Sequence, residues 1–381
     1  MMTTNVEEFR VLARRRLPRM FFDYLDGGAF SENTLRRNRT DFDKLVLEQR
    51  VLRDISRRDL SHTFLGQRSK LPMMLAPIGF CGMMCADGEV KAARAAEAAG
   101  IGMCLSTFSI ASVEKVAASV KRPIAFQLYI FRDRALAEIM VDRAEKAGVN
   151  TLFLTVDTAV SGIRERDTRN GFRTATRLGI RPMVDLALHP RWCLSMAPLG
   201  RPQLGNAAGV ASLGNGLMEQ ASRLSAQLDP SLVWEDLAWL RNRWKGRLVV
   251  KGILSVHDAE RAVGAGADAI VVSNHGGRQL DSASSTIAML PSIARAIGGR
   301  AEILLDGGIR RGTDIFKALA LGADGVLLGR AYVYGLAAAG GAGIAGVIEH
   351  LRAELDVTMG LTGLSSIAEL RATGADLVHA A

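Results

Sequence analysis

One short segment combines residue types that can do acid–base chemistry on a carboxylic acid. Residues 273–281 read SNHGGRQLD, so His275 stands on a Gly-Gly turn three residues before Arg278. An imidazole can remove a proton near neutral pH, and a guanidinium can hold a carboxylate with two hydrogen bonds. The spacing therefore predicts a base beside a cation that fixes an anionic substrate. The other histidines lack such neighbours, and we expect them to be structural.

A second group of residues, nearer the C-terminus, has the composition of a phosphate site. Its members are Asp306, Gly307, Gly308, Arg310, Gly329 and Arg330. Glycine lets backbone N–H groups approach an anion closely, and arginine adds charge-assisted hydrogen bonds. Many phosphate-binding barrels with unrelated reactions share this pattern, so it predicts the ligand group without predicting the reaction.

Eight short apolar runs, separated by amphipathic stretches, must position these two groups. The runs are residues 71–76, 102–106, 124–129, 151–156, 248–251, 269–273, 302–306 and 325–328. Helical patterns lie among them at residues 135–147, 256–265, 286–297 and 313–321. Near-continuous apolar strands separated by helices indicate a parallel sheet covered on both faces. Eight such units fit an α/β fold of the (β/α)8 TIM barrel type better than two doubly wound sheets.

The active site of such a barrel lies at the carboxyl ends of its strands. Polar side chains stand at nearly all of the predicted strand ends, namely Ser106, Gln127, Tyr129, Thr155, Asp157, Lys251, Ser273, His275, Asp306 and Arg330. Folding alone explains such a set poorly, so we expect these side chains to line one functional site.

We predict a single domain over residues 1–381, with residues 1–65 as a helical cap whose strand closes the barrel bottom. The barrel would occupy residues 66–360, and its last helix would start near Ile344. The connection after the fourth strand is unusually long, and such loops are functional or disordered. Its residues 170–217 carry Arg173, Arg177, Arg181, Arg191 and Arg201 with interleaved Met183, Trp192 and Met196. They are expected to form either a mobile lid or a membrane-contacting segment.

Composition excludes several other classes of protein. Hydrophobic residues make up 48% of the chain and charged residues 23%, which is typical of a globular protein. The formal charge of +9 favours an anionic ligand or surface. The basic residues are spread along the chain, however, which argues against nucleic acid as that ligand. No 18-residue apolar run, signal-peptide pattern or paired-cysteine metal site is evident. Residues 341–346 match GxGxxG without a preceding strand, so a nicotinamide site is not expected.

The nonapeptide at residues 273–281 resembles the active-site signature of the FMN-dependent L-2-hydroxy acid dehydrogenases and oxidases. The resemblance covers nearly the whole chain and continues in residues 17–18, 22–29, 76–79, 126–129, 155–158, 250–252, 306–312 and 317–323. It implies FMN as the cofactor and a role for each matching residue. His275 would be the catalytic base and Asp157 its partner, with Arg278 and Arg164 binding the substrate carboxylate.

The remaining implied roles concern the substrate and the cofactor. Tyr24 and Tyr129 would contact the substrate, and Lys251 would lie near the edge of the flavin where negative charge develops. Further flavin contacts would be Ala76, Pro77, Ile78, Ser106, Gln127, Thr155 and Ser273. The ribityl and phosphate groups would be held by Asp306, Gly307, Gly308, Arg310, Gly329 and Arg330.

Within the family, residues 161–167 and 188–192 are similar to the membrane-associated (S)-mandelate dehydrogenases, and residues 234–240 also to bacterial L-lactate dehydrogenases. This resemblance implies a lactate- or mandelate-like substrate and membrane quinone as the electron acceptor. It also implies a peripheral position on the cytoplasmic side of the inner membrane, and a homo-oligomer, a tetramer in similar proteins. Gly79 replaces the Ala of glycolate oxidases and leaves room for a bulky substrate, whereas Phe108 departs from the expected pattern.

Three alternatives stay open at this point. An oxidase or monooxygenase would pass electrons to oxygen instead of quinone. A non-redox FMN barrel, such as isopentenyl diphosphate isomerase, would leave the two carboxylate-binding arginines without a purpose. A flavoprotein without catalytic activity is disfavoured because every residue of the catalytic set is present.

Overall fold

Eight parallel strands close into a barrel in the computed structural model, which describes residues 3–171 and 179–381, apart from the side chain of Arg181. In chain order the strands are β1 Leu45–Leu47, β2 His62–Phe64, β3 Gln67–Ser69, β4 Met73–Leu75, β5 Gly102–Ser106, β6 Ala125–Leu128, β7 Thr151–Thr155, β8 Arg247–Ile253, β9 Ala269–Val272, β10 Glu302–Leu305, β11 Gly325–Leu328 and β12 Val378–Ala380. The barrel order is β10-β11-β4-β5-β6-β7-β8-β9, and every predicted run overlaps one of these strands. The predicted (β/α)8 TIM barrel is therefore confirmed.

Helices surround the barrel and form its amino-terminal cap. They are α1 Val6–Arg16, α2 Arg19–Asp26, α3 Asn33–Asp43, α4 Cys81–Met84, α5 Gly88–Ala99, α6 Val113–Ala117, α7 Arg134–Lys146, α8 Glu165–Asn170, α9 Ile180–Ala187, α10 Pro190–Met196, α11 Leu217–Ala226, α12 Trp234–Arg243, α13 Val256–Gly264, α14 Thr286–Ile297, α15 Gly312–Ala320, α16 Arg330–Leu361 and α17 Ile367–Thr373. Short 3₁₀ turns lie at Ala197–Leu199, Ala211–Leu213 and Gly374–Leu377.

The barrel strands are apolar on both faces because each face meets protein. Along β8, Leu248 and Val250 pack toward the surrounding helices, while Val249 belongs to the cluster that fills the barrel interior. Each such side chain stabilises the fold by about 1.5–3 kcal/mol. Phe64, on the hairpin of β2 and β3, joins the interior cluster and lies against Gly325 at the amino-terminal end of β11. The hairpin thus closes the end opposite to the strand carboxyl ends.

The helix after β11 differs from the prediction. We expected it to start near Ile344, whereas α16 begins at Arg330 and bends at Ala339 and Gly340. Residues 330–337, the first two turns of this helix, are buried all round and lack a polar face, so hydrophobic periodicity does not reveal them. Among the described residues, α16 alone is long and apolar enough to cross a membrane. However, 61% of its most apolar stretch is buried against the rest of the fold, as in a core helix.

The long connection after β7 contains α8 to α12. Arg173 and Arg177 lie outside the described residues. Helix α10 is anchored to the cap by Trp192, whose ring packs at a tilt of 31° against that of Phe21 of α2, with ring centroids 4.9 Å apart. The Nε1 of Trp192 also donates to the carbonyl of Met83 at 3.2 Å. The connection therefore folds back over the carboxyl ends of the strands.

Candidate active site

A cavity of about 990 Å³ opens at the carboxyl ends of the barrel strands. It brings together nearly the whole predicted set, namely Tyr24, Ala76, Pro77, Ile78, Gly79, Ser106, Gln127, Tyr129, Thr155, Arg164, Lys251, His275, Arg278, Asp306, Gly307, Gly308, Arg310, Gly329 and Arg330. Two predicted residues, Asp157 and Ser273, stand behind this lining and contact residues within it.

His275 and Asp157 form a partly buried acid–base pair. Nδ1 of His275 lies 2.9 Å from Oδ1 of Asp157, and a carboxylate can only accept there, so Nδ1 carries the proton. The neutral imidazole is then unprotonated at Nε2 and can act as a base. Burial lowers the pKa of His275, although Asp157 partly opposes the shift. For Asp157, burial opposes ionisation, but His275 and Lys251 outweigh it and keep its pKa below the usual value.

Two arginines line the cavity beside this pair. Arg278 is held by the cap, because its NH1 donates to the carbonyls of Tyr24 and Gly27 at 2.7 and 2.8 Å. Its guanidinium also lies 4.9 Å from the centroid of the Tyr24 ring. Arg164, just before α8, donates from Nε to the carbonyl of Arg278 at 3.4 Å. The cap and the long connection therefore bring two cations to the side of the base.

Lys251, at the end of β8, carries a buried positive charge. Its Nζ lies 2.8 Å from Oδ2 of Asp306 and donates to Oγ of Ser273 at 2.9 Å. Burial alone would lower the pKa of Lys251, but Asp306 and Asp157 reverse that effect and raise it. The ammonium group is therefore stable as a cation inside the barrel mouth.

Several buried polar atoms of the cavity fit a flavin nucleotide. Nε2 of Gln127, Oγ1 of Thr155 and Oδ1 of Asp306 have no hydrogen-bond partner within the described ranges 3–171 and 179–381. Buried polar groups without partners are costly, so such atoms mark the position of a polar ligand. The edge of an isoalloxazine ring and a ribityl chain offer matching groups. FMN therefore fits this part of the cavity.

The phosphate end of the cavity also agrees with FMN. Gly307 and Gly308 have φ angles of +91° and +98°, a conformation that would strain any other residue type. Arg330 starts α16, and burial lowers its pKa to about 10. A phosphate dianion beside it would favour the charged guanidinium. Arg310 lines the same end and lies 5.4 Å from the Tyr334 ring centroid.

Sequence reasoning missed an apolar arm of the cavity. Helices α2, α10 and α11 and their flanks contribute Met20, Phe21, Trp192, Met196, Leu217, Met218 and Leu228. Their only sequence signal is the apolar spacing typical of any packed helix, so only the fold shows that they meet. Among the described residues, no group of His, Cys, Asp or Glu side chains is arranged to hold a metal ion.

The fold and the cavity define a class: a (β/α)8 barrel enzyme with a phosphate-bearing flavin site beside a His–Asp pair. A family model described as FMN-dependent dehydrogenase matches residues 13–376. The L-lactate dehydrogenase of Caulobacter vibrioides is 46% identical over 374 residues, covering 98% of this chain and 97% of that protein. That of Xanthomonas euvesicatoria pv. vesicatoria is 47% identical, with coverages of 98% and 96%.

Solved structures agree with the sequence comparisons. The monotopic membrane protein (S)-mandelate dehydrogenase is 42% identical with a TM-score of 0.95, and the match covers 100% of both chains. A mandelate oxidase is 38% identical with a TM-score of 0.84, over 97% of this chain and 98% of that one. This chain belongs to the FMN-dependent dehydrogenase family, and it is an FMN-dependent enzyme.

Proposed function

We propose that the protein oxidises an L-2-hydroxy acid to the corresponding 2-oxo acid, with His275 as the base. The observation that carries the proposal is the shared cavity in which His275, Arg278 and Arg164 stand beside the atoms that fit a flavin. The names of the relatives, L-lactate dehydrogenase and (S)-mandelate dehydrogenase, support the same substrate class.

The chain's own residues supply binding and proton transfer. Arg278 and Arg164 match a carboxylate in charge and in hydrogen-bond geometry, and Tyr24 and Tyr129 line the same space. Conversion of the hydroxy acid to the oxo acid releases two electrons and two protons. When bound, FMN would supply the acceptor for both electrons and for one of the two protons. Nε2 of His275 takes up a substrate proton, and Asp157 stabilises the imidazolium that forms.

We propose that the remaining predicted residues hold the cofactor. The flavin ring is assigned to Ala76, Pro77, Ile78, Ser106, Gln127, Thr155, Lys251 and Ser273. The ribityl and phosphate groups are assigned to Asp306, Gly307, Gly308, Arg310, Gly329 and Arg330. Unpartnered atoms on Gln127, Thr155 and Asp306 support this assignment.

The substrate side chain is proposed to be bulky. A Cβ on Gly79 would lie 3.0 Å from Cβ of Phe108 and 3.5 Å from the Tyr24 hydroxyl, so glycine allows the aromatic side chain of Phe108 to lie close to this wall of the cavity. Phe108 also meets the ring of Tyr129 edge to face, with centroids 5.6 Å apart. Aromatic walls favour an aryl side chain, as in mandelate, over the methyl group of lactate.

One experiment tests the activity and the substrate together. Purified protein should be yellow, and its flavin should bleach without oxygen on addition of the right hydroxy acid. The panel is L-mandelate, L-lactate, glycolate and longer L-2-hydroxy acids, with the D-enantiomers as controls. We expect L-mandelate to bleach fastest. If no L-2-hydroxy acid reduces the flavin, the proposed activity is wrong. If L-lactate bleaches the flavin faster than L-mandelate, only the proposed size of the substrate side chain is wrong.

The electron acceptor is proposed to be a membrane quinone. The apolar arm, including Phe21, Trp192 and Leu217, offers a surface for an apolar acceptor and has no evident use for a small ionised substrate. An oxygen-using enzyme is the competing candidate because mandelate oxidases are among the similar structures. Reoxidation of the flavin by a quinone without formation of hydrogen peroxide supports the quinone, and stoichiometric hydrogen peroxide supports oxygen as the acceptor.

An isomerase reaction is disfavoured, because it would give Arg278 and Arg164 no carboxylate to bind.

We propose that α9 and α10 contact the membrane surface. Ile180, Met183, Val184 and Leu188 are exposed at helical spacing on α9, and Leu194 follows on α10. Basic residues of the connection would face anionic headgroups. The similarity to the monotopic membrane protein (S)-mandelate dehydrogenase supports the proposal that this surface contacts a membrane. The cytoplasmic side, the homo-oligomer and the domain limits at residues 65, 170, 217 and 360 stay predictions.

A further inference from the structure

The turn that carries His275 has an unusual backbone. His275, Gly276 and Gly277 have φ angles of +56°, +67° and +75°, so three consecutive residues are left-handed. A side chain in this region is strained by roughly 1–2 kcal/mol. Such a conformation persists only where the surrounding contacts hold it. The position of the His275 side chain therefore depends on the contacts that hold this turn in place.

A pair of buried amides fixes the turn. Asn38 of α3 and Asn274 exchange two hydrogen bonds, each 2.8 Å long, from the Nδ2 of one to the Oδ1 of the other. Oδ1 of Asn274 also accepts from the backbone N–H of Gly277 at 3.1 Å, which closes the turn around His275. Both side chains are buried, with 2% and 6% of their surfaces exposed.

The same asparagine lies against the phosphate turn. A Cβ on Gly307 would be 3.3 Å from Nδ2 of Asn38, and one on Gly308 would overlap the Asn38 carbonyl. The next residue, Arg39, donates to the carbonyl of Gly308 and pairs with Asp314 at 2.7 Å. Asn38 therefore contacts two separate turns, one that carries the base and one that fits the cofactor phosphate.

We propose that Asn38 is a positioning residue that aligns His275 with the bound cofactor by joining the Asn274 amide to the Gly307–Gly308 turn. Its amide can satisfy both the donor and the acceptor of Asn274, which no apolar or charged side chain of the same size can do. Loss of the amide should loosen both turns together. This inference rests on the proposed role of His275 and adds a residue that touches neither substrate nor cofactor.

The isosteric variant Asn38→Asp tests the proposal, because its carboxylate faces Oδ1 of Asn274 and cannot donate. The holoenzyme should release FMN about tenfold more readily on dilution, as expected for loss of a buried hydrogen bond. At saturating FMN, the rate of anaerobic flavin reduction should fall about ten- to hundred-fold. Half-saturation by the hydroxy acid should change much less, since Arg278 and Arg164 are held by other contacts.

Arg36→Ala is the matched control, because Arg36 lies on the same helix but contacts Ser31 and Asn33 at its start. It should retain wild-type FMN binding and flavin reduction. An Asn38→Asp protein with wild-type reduction rate and FMN retention would overturn the proposal. So would failure of both Asn38→Asp and Asn38→Ser to fold, since Asn38 would then serve the fold alone. If wild-type flavin is not reduced by any hydroxy acid, the proposed function fails, and FMN retention still tests Asn38.

Discussion

At the scale of single residues, the imidazole of His275 is subject to two opposing influences. Burial lowers its pKa and the Asp157 carboxylate raises it, with burial the larger effect. Because the base works in its unprotonated form, the rate of flavin reduction should rise with pH through this lowered pKa. The rate should therefore reach its plateau at or below neutral pH, since an unperturbed histidine titrates near 6.5.

Replacement of Asp157 by Asn should change both features of this pH profile. The acid limb should move to lower pH, because the group that raises the pKa of His275 is lost. The plateau should fall by about 10²- to 10⁴-fold, because the imidazolium formed in the reaction loses its stabilising charge. The measurement is anaerobic flavin reduction against pH, with Asp142→Asn in an exposed ion pair as the control. An unchanged plateau would show that Asp157 only packs against the base.

The residues of the site were predictable to different degrees. The signature at residues 273–281 and its family resemblance predicted a base, two carboxylate-binding arginines and a set of flavin contacts, and nearly all of these residues line one cavity. Asn38 could not be predicted, because it meets Asn274 from 236 positions away and carries no local pattern. The same holds for the apolar arm, where Phe21 and Trp192 come from separate helices.

At the scale of elements, Trp192 joins the long connection to the cap and barrel. It is 7% exposed, packs against the ring of Phe21 and donates a hydrogen bond to the carbonyl of Met83. Trp192→Ala should therefore detach α10, at a cost of about 3–5 kcal/mol for a buried tryptophan. We expect cleavage by a low concentration of protease to begin within residues 179–201, with Arg191→Ala as the exposed control. Equal protection of the two variants would mean that other contacts hold this segment.

The positions of some elements, but not of others, can be predicted from hydrophobic patterns in the sequence. Barrel strands are apolar along most of their length and bounded by turns, so their positions followed from the sequence. The position at which α16 begins did not follow from the sequence, because its residues 330–337 are buried all round and therefore have no amphipathic period. The hairpin of β2 and β3 crosses the proposed limit at residue 65, since short strands of three residues give little periodic signal.

At the scale of the whole molecule, the net charge of +9 and the exposed face of α9 suit an anionic lipid surface. Met183→Glu with Leu188→Glu should abolish sedimentation with anionic vesicles and leave turnover with a soluble dye unchanged. Val357→Glu with Leu361→Glu is the control, because these residues of α16 are also more than half exposed. If wild-type protein never sediments with vesicles, the connection is better explained as a lid.

We propose that His275 is the base of an FMN-dependent hydroxy acid dehydrogenase. Its most direct test is stopped-flow reduction of the flavin in the His275→Asn holoenzyme by the best L-2-hydroxy acid, without oxygen and at saturating FMN. Proton transfer by a positioned base contributes about 10²- to 10⁴-fold to the rate. We therefore expect the rate of flavin reduction to fall by at least that factor, with FMN still bound. Flavin reduction at the wild-type rate in this variant would contradict it.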